Sequence, residues 1–309
     1  MPEQMVRISD EIELCYESFG DPSDTPLLLV MGLATQMLGW HEDFCRQLAE
    51  RGFHVTRFDN RDSGRSTHIR EKPAGLGTML VKPKQAAHYL LGDMADDAAG
   101  LLKTLDLAPA HVVGASMGGM IAQSLAARHP QLVRSLTSIM STTGRRWVGQ
   151  PAARIYPFLA RRPKEGREAA IERTMKVFSA IGSRGLPKDM DDIRDIAERS
   201  YDRDHDAGGP ARQLAAIIAS GDRTKEIRRI EAPTLVIHGT DDRMVRPSGG
   251  RATAKAVGGA DLLEIGGMGH DLPRAAWPRI VDAIALHAQR ADAEAGRAAT
   301  TATGAAAAA

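Results

Sequence analysis

Cysteine is nearly missing from this chain. Cys15 and Cys45 are the only two in 309 residues. So few, without metal-ligand or redox spacing, argue against a disulfide framework, a zinc site or a redox motif. They fit structural thiols in a reducing compartment, so a cytoplasmic location is expected. Net charge is nearly missing too: 40 Lys and Arg against 39 Asp and Glu leave +1. That gives no global pull toward nucleic acid, and no nucleic-acid partner is expected. No apolar run approaches the ~20 residues that cross a bilayer. The N-terminus, MPEQMVRISDEIEL, carries acids where a secretory signal has a basic stretch and then an apolar one. No stable membrane insertion is therefore expected. Internal repeats are also lacking. What remains is an ordinary globular balance, 43% hydrophobic and 26% charged, in a chain long enough to bury a sizeable core.

The apolar residues alternate between two patterns. Short runs predict strands at Gln4–Ile8, Glu11–Phe19, Leu27–Met31, His54–Asp59, His111–Ala115, Ser135–Met140, Pro233–Gly239 and Asp261–Gly267. Between them, helical periodicity predicts helices near Leu38–Arg51, Gln85–Leu105, Met117–His129 and Arg274–Gln289. Uninterrupted runs such as Leu27–Met31 mark strands buried on both faces. Strands alternating with helices define an α/β chain with a mostly parallel sheet covered on both sides.

That rhythm breaks between Gly144 and Ile230, where the chain is polar, Arg-rich and punctuated by prolines. This segment reads as a helical lid inserted over the sheet. Residues 1–143 and 231–290 then form the core, 144–230 the lid, and 291–309 a low-complexity, disordered tail. The stretch from Arg145 to Arg184 carries a net charge of roughly +7. It reads as a solvated face, with weak contact to an anionic surface as the sharper alternative.

The chemistry-bearing signal is HVVGASMGGM, His111–Met120. Gly114-Ala115-Ser116-Met117-Gly118 matches G-x-S-x-G between an apolar strand and a helix, the setting of a nucleophile elbow. Glycines two residues to either side of Ser116 let the backbone pass closely, so the corner side chain projects above the sheet edge. The helix N-terminus behind it favours developing negative charge. A serine hydroxyl needs a base to take its proton. Among ten histidines, His270, ending GGMGH after the last strand, occupies the topological place for that base. The histidine needs an acid to hold its tautomer. Asp241 and Asp242 both follow the strand ending at His238, and Asp242 is selected by its G-x-x-D spacing from Gly239. For the oxyanion, the backbone N–H groups of Met117 and of Leu33, after the Leu27–Met31 strand, are the candidate donors.

On these motifs the chain resembles an α/β-hydrolase over nearly its whole length, carboxylesterase- and lipase-like. The resemblance implies an eight-stranded, mostly parallel sheet flanked by helices, with a helical lid. It also implies Ser116 as nucleophile, His270 as general base and acid, and Asp242 as orienting acid. Two departures stand out: Met31-Gly32 where most relatives have His-Gly, and Asp59-Asn60-Arg61-Asp62-Ser63-Gly64-Arg65-Ser66 in place of D-x-R-G-x-G-x-S. The pairing of VMG with RDSGRS resembles the aclacinomycin-type methylesterase branch. Asp59–Ser66 reads as a loop bracing the site.

The expected activity is hydrolysis of a small-molecule carboxylic ester with an apolar portion, through an acyl-serine. No cofactor or metal is expected. Trp147, Ile155, Tyr156, Phe158 and Phe178 are candidates for an apolar cleft. Thioester, lactone, perhydrolytic and C–C bond chemistry use the same triad and stay open, as does a hydrolase-like receptor with little turnover.

Overall fold

A computed structural model describes residues 2–155 and 166–307, the last ten of these by backbone alone. The chain opens with β1 (Gln4–Arg7), β2 (Glu13–Phe19), β3 (Thr25–Val30), α1 (Glu42–Ala49) and β4 (Phe53–Phe58). It continues with α2 (Leu76–Val81), α3 (Pro83–Ala86), α4 (Leu91–Thr104), β5 (Ala110–Ala115), α5 (Met117–Arg128) and β6 (Val133–Ile139). Helices α6 (Arg167–Ile181), α7 (Met190–Arg203), α8 (Gly209–Ser220) and α9 (Thr224–Ile227) precede β7 (Thr234–Gly239). The chain closes with α10 (Ser248–Ala256), β8 (Asp261–Ile265) and α11 (Trp277–Ala307).

The strands form one eight-stranded sheet in the order β1-β2-β4-β3-β5-β6-β7-β8. The β1–β2 and β2–β4 pairs are antiparallel, and the other pairs are parallel. β3 reads LLLV because it is covered twice. Leu28 and Val30 pack with Val112, Met117, Ile121 and Leu125 on one face. Leu27 and Leu29 pack with Val113, Ile139, Phe44, Trp277 and Ile280 on the other. Successive side chains point to opposite faces, so a strand between two helical layers must be apolar at every position. Both cysteines are free and buried.

Three expectations need correction. The long helix at Gln85–Leu105 is broken into α3 and α4. The Asp93 carboxylate accepts the Leu90 N–H at 2.7 Å and starts a new helix there, while Tyr89 leaves the helix line to donate to Asp62 at 2.6 Å. The helix near Leu38–Arg51 is a 3₁₀ turn at Met37–Gly39 followed by α1. His41 Nδ1 accepts the Asp43 N–H at 3.0 Å and caps α1. The tail does not part from the core at Ala291, because α11 runs on to Ala307. Ala291 is buried, and Asp292 accepts from Arg134 at 3.1 Å. Alanine has the highest helix propensity, so composition too simple for a core still extends an anchored helix.

The helical insert between β6 and β7 is stitched to the loops at the carboxyl ends of β3 and β4. Gln36 Nε2 donates to the Ser200 and Asp204 carbonyls, both at 2.8 Å. Arg203, at the end of α7, pairs with buried Asp59 at 2.6 Å. Arg212, in α8, grips both oxygens of buried Asp62 at 2.7 and 3.0 Å. Without Asp62, buried Arg212 keeps only the partly exposed Asp206 as its ion partner, and Tyr89 and the Ile69 N–H lose their acceptor. Asp62→Ala is therefore expected to lower unfolding stability by about 3–5 kcal/mol in urea denaturation. A loss below ~1 kcal/mol would show the clamp to be worth no more than a surface ion pair.

Candidate active site

The sharp corner after β5 puts Ser116 at the entry to α5 with φ +57° and ψ −118°. A non-glycine residue there carries strain on the order of 1–3 kcal/mol. The surroundings hold it in place. The Ser116 N–H donates to the Ile139 carbonyl at 2.9 Å. A Cβ on Gly114 would sit 2.2 Å from the Gly118 carbonyl oxygen, and one on Gly118 would sit 2.0 Å from that of Val30. The start of α5 is thus seated directly on the end of β3, with no room for a side chain between them.

His270 and Asp242 arrive from the ends of β8 and β7. The Ser116 hydroxyl lies 2.9 Å from His270 Nε2, and Asp242 Oδ2 lies 2.8 Å from His270 Nδ1. A carboxylate opposite Nδ1 fixes the proton there, so Nε2 presents its lone pair to the serine. Asp242 Oδ1 accepts the N–H groups of Met244 and Val245, each at 2.9 Å. One carboxylate oxygen therefore closes the turn and the other is left for the imidazole. Asp242, and not its neighbour Asp241, meets the histidine, as the G-x-x-D spacing predicts. His270 is 9% exposed and Asp242 2%.

The His270 loop is also held from the insert. The His270 N–H donates to the Ile181 carbonyl at 2.9 Å, at the end of α6. Ser183 donates its hydroxyl to Asp271 at 2.6 Å and accepts the Gly269 N–H at 2.9 Å. Burial holds the Asp271 carboxyl above the usual carboxylate range.

Leu33 lies in the loop leaving β3, half-buried against the core. Neither its N–H nor that of Met117 has an acceptor among the described residues. The adjoining Gly32 approaches Ser116 so closely that a Cβ there would sit 3.1 Å from the serine Cβ. Asp59–Ser66 turns inward as a brace. Asp59 accepts the Met37 N–H at 2.7 Å, Asn60 donates to the Met31 carbonyl at 2.9 Å, and Ser66 donates to the Asp59 carbonyl at 2.6 Å. Of the cleft candidates, Ile155 is 1% exposed and Phe178 half-buried. Trp147 is a correction: it is 77% exposed, under the Arg146 guanidinium at 4.7 Å. Tyr156 and Phe158 lie outside the described residues.

Sequence reasoning missed polar residues that bond to the loops around Ser116, His270 and Asp242. His238, at the end of β7, donates from Nε2 to the Val245 carbonyl at 2.8 Å. It lies 3.5 Å from Asp242, and burial holds its pKa below the ordinary histidine value. Gln213 of α8 accepts the Ala34 N–H. Its signal in the sequence is a pair of polar residues, Arg212-Gln213, in an otherwise small and apolar helix. Asp62, His68 and Asp206 come close enough together for metal ligation. Arg212 bonds to both Asp62 and Asp206, occupying carboxylate oxygens of that cluster and offsetting one of its two negative charges.

Residues 25–273 match the family described as alpha/beta hydrolase fold, and the chain belongs to that family. Within it, the chain is similar to rhodomycin D methylesterase DnrP of Streptomyces peucetius. The two are 28% identical over 310 residues, covering 94% of this chain and 99% of that protein. Rhodomycin D methylesterase DauP of Streptomyces sp. strain C5 is 29% identical, with the same coverage. This places the chain with the methylesterase branch that VMG and RDSGRS suggest. Among solved structures it resembles the enol-lactonase of Burkholderia xenovorans LB400, at TM-score 0.65 and 25% identity over 94% of this chain and 98% of that one.

Two outcomes test this geometry. Gly118→Ala is expected to cost more than about 2 kcal/mol in urea denaturation, through overpacking against backbone. Gly258→Ala, where a Cβ meets nothing within 4 Å, should be close to neutral. The second outcome concerns pH. Burial depresses the folded-state pKa of His238 and His111. Below the unfolded value of about 6.5, the unfolded chain binds more protons than the folded one, so stability falls as pH falls. The melting temperature should drop between pH 7.5 and 6; a level or rising value would contradict neutral burial.

Proposed function

We propose that this chain is a serine esterase that hydrolyses a small-molecule carboxylic ester, with a methyl ester as the expected bond. The observation that carries the reading is the continuous hydrogen-bonded line from Ser116 Oγ through His270 to Asp242, at 2.9 and 2.8 Å. Membership in the hydrolase family and the methylesterase names of two near-full-length relatives support the choice of bond.

In this reading Ser116 Oγ attacks the ester carbonyl carbon as His270 Nε2 takes the hydroxyl proton. The carbonyl electron pair moves to oxygen, and the N–H groups of Met117 and Leu33 receive that charge at the N-terminus of α5. Asp242 stabilises the imidazolium without taking its proton. His270 then protonates the alkoxide as the C–O bond breaks, releasing the alcohol. A water attacks the acyl-serine, giving its proton to His270, which returns it to Ser116 as the carboxylic acid leaves. No step calls for a metal or cofactor. The helical insert serves as the lid in this scheme, with Ile155 and Phe178 among the apolar residues near the substrate.

A panel of methyl and p-nitrophenyl esters of increasing acyl length, with thioesters and lactones alongside, tests the bond type. The scheme expects the ester arm to give the highest kcat/KM; a preference for another arm would reassign the substrate class and keep the nucleophile. Ser116→Ala should lose at least about 10⁴-fold in kcat and all fluorophosphonate labelling. Asp242→Asn should lose about 10³- to 10⁴-fold, whereas Asp241→Asn should stay within about threefold of wild type. Labelling of Ser116→Ala at the wild-type level, or a larger loss from the Asp241 change, would sink these assignments.

A further inference from the structure

The geometry points to Gln213 as a positioning residue that sets the aim of the Leu33 N–H in the oxyanion site. This rests on the reading of Ser116 as nucleophile. Gln213 belongs to the helical insert, yet both ends of its fully buried amide bond to loops of the hydrolase core. Oε1 accepts the Ala34 N–H at 2.9 Å, across 179 residues of chain. Nε2 donates to the Arg61 carbonyl at 2.9 Å, across 152 residues. The reversed amide would set donor against donor and acceptor against acceptor, so the pairing fixes its orientation.

The bond falls at a critical place. Ala34 has φ +57°, a left-handed conformation that a non-glycine residue leaves unless its neighbours hold it. Asn60 holds the Met31 carbonyl at 2.9 Å on the near side of the loop. On the far side the Leu33 carbonyl accepts from Thr35 Oγ1 at 3.2 Å, and Gln213 holds the Ala34 N–H. The Gly32–Leu33 peptide lies between these ties, its N–H without an acceptor among the described residues, and Gly32 packs against Ser116. Asn60 and Arg61 are consecutive, so Asn60 and Gln213 brace the loop against one anchor. If Gln213 lets go, the Ala34 peptide can relax out of the left-handed region. The Leu33 N–H then turns with it, without any change at Ser116, His270 or Asp242.

Oxyanion donors act chiefly on the transition state, so their misalignment lowers kcat and leaves KM nearly unchanged. Gln213→Met removes both hydrogen bonds at similar volume, and Gln213→Glu keeps an acceptor for Ala34. The measurements are kcat and KM on p-nitrophenyl butyrate, the second-order rate of fluorophosphonate labelling, and the affinity of an alkyl trifluoromethyl ketone, which mimics the tetrahedral adduct. For Gln213→Met, kcat, labelling rate and ketone affinity should each fall about tenfold, with KM within about twofold. Gln213→Glu should lie between that variant and wild type. Wild-type kcat and labelling in a folded Gln213→Met protein, or a loss confined to KM, would overturn the inference. Should Gln213→Met not fold, wild-type kcat and labelling in Gln213→Glu would do the same. If the wild-type chain itself resists the fluorophosphonate, the nucleophile reading fails and the positioning role with it. A reactive wild type with equally reactive variants removes the positioning role alone.

Discussion

The close seat of α5 on the end of β3 governs the rest of this structure. With the Gly118 backbone pressed against the Val30 carbonyl, the chain between β5 and α5 has one way to turn, and Ser116 must take it. The serine is then the corner of a rigid junction between the central strands and a wholly buried stretch of helix. Its hydroxyl needs no adjustment to meet an imidazole brought in by another loop. Strain at that corner is tolerable because packing on both sides of the sheet exceeds it.

Around that corner, five loops at the carboxyl ends of parallel strands converge, those after β3, β4, β5, β7 and β8, as expected for an open α/β sheet. Their mutual placement is not left to the loops alone. The insert ties down the β3 loop through Gln213, the β4 loop through Arg203 and Arg212, and the β8 loop through Ile181 and Ser183. Each tie uses a buried polar group, for which an unmade hydrogen bond is costlier than for an exposed one. The insert therefore acts on the site's geometry through these ties.

The sheet, most helices and the meeting of Ser116, His270 and Asp242 were legible in the sequence because each announces itself locally. The elbow has its glycines on either side, Asp242 its spacing from Gly239, and His270 its glycine-rich approach after the last strand. Local signals failed where geometry comes from distant partners. The break between α3 and α4 depends on Tyr89 reaching Asp62. The exposure of Trp147 depends on which face the insert presents. The packed start of the alanine-rich segment depends on Arg134 meeting Asp292. Gln213, Ser183 and His238 escaped for the same reason: nothing within ten residues of Gln213 says that Ala34 will need an acceptor.

The two thiols carry a last consequence. Cys45 is fully buried and Cys15 is enclosed with Glu3 and Arg203; desolvation pushes both pKa values up to about 12. Near neutral pH almost no thiolate forms at either, and thiolate is the species that soft electrophiles and oxidants attack. The native chain is thus a silent background for maleimide and iodoacetamide chemistry. A single cysteine introduced on the insert can carry a spectroscopic reporter there without either native thiol being modified first.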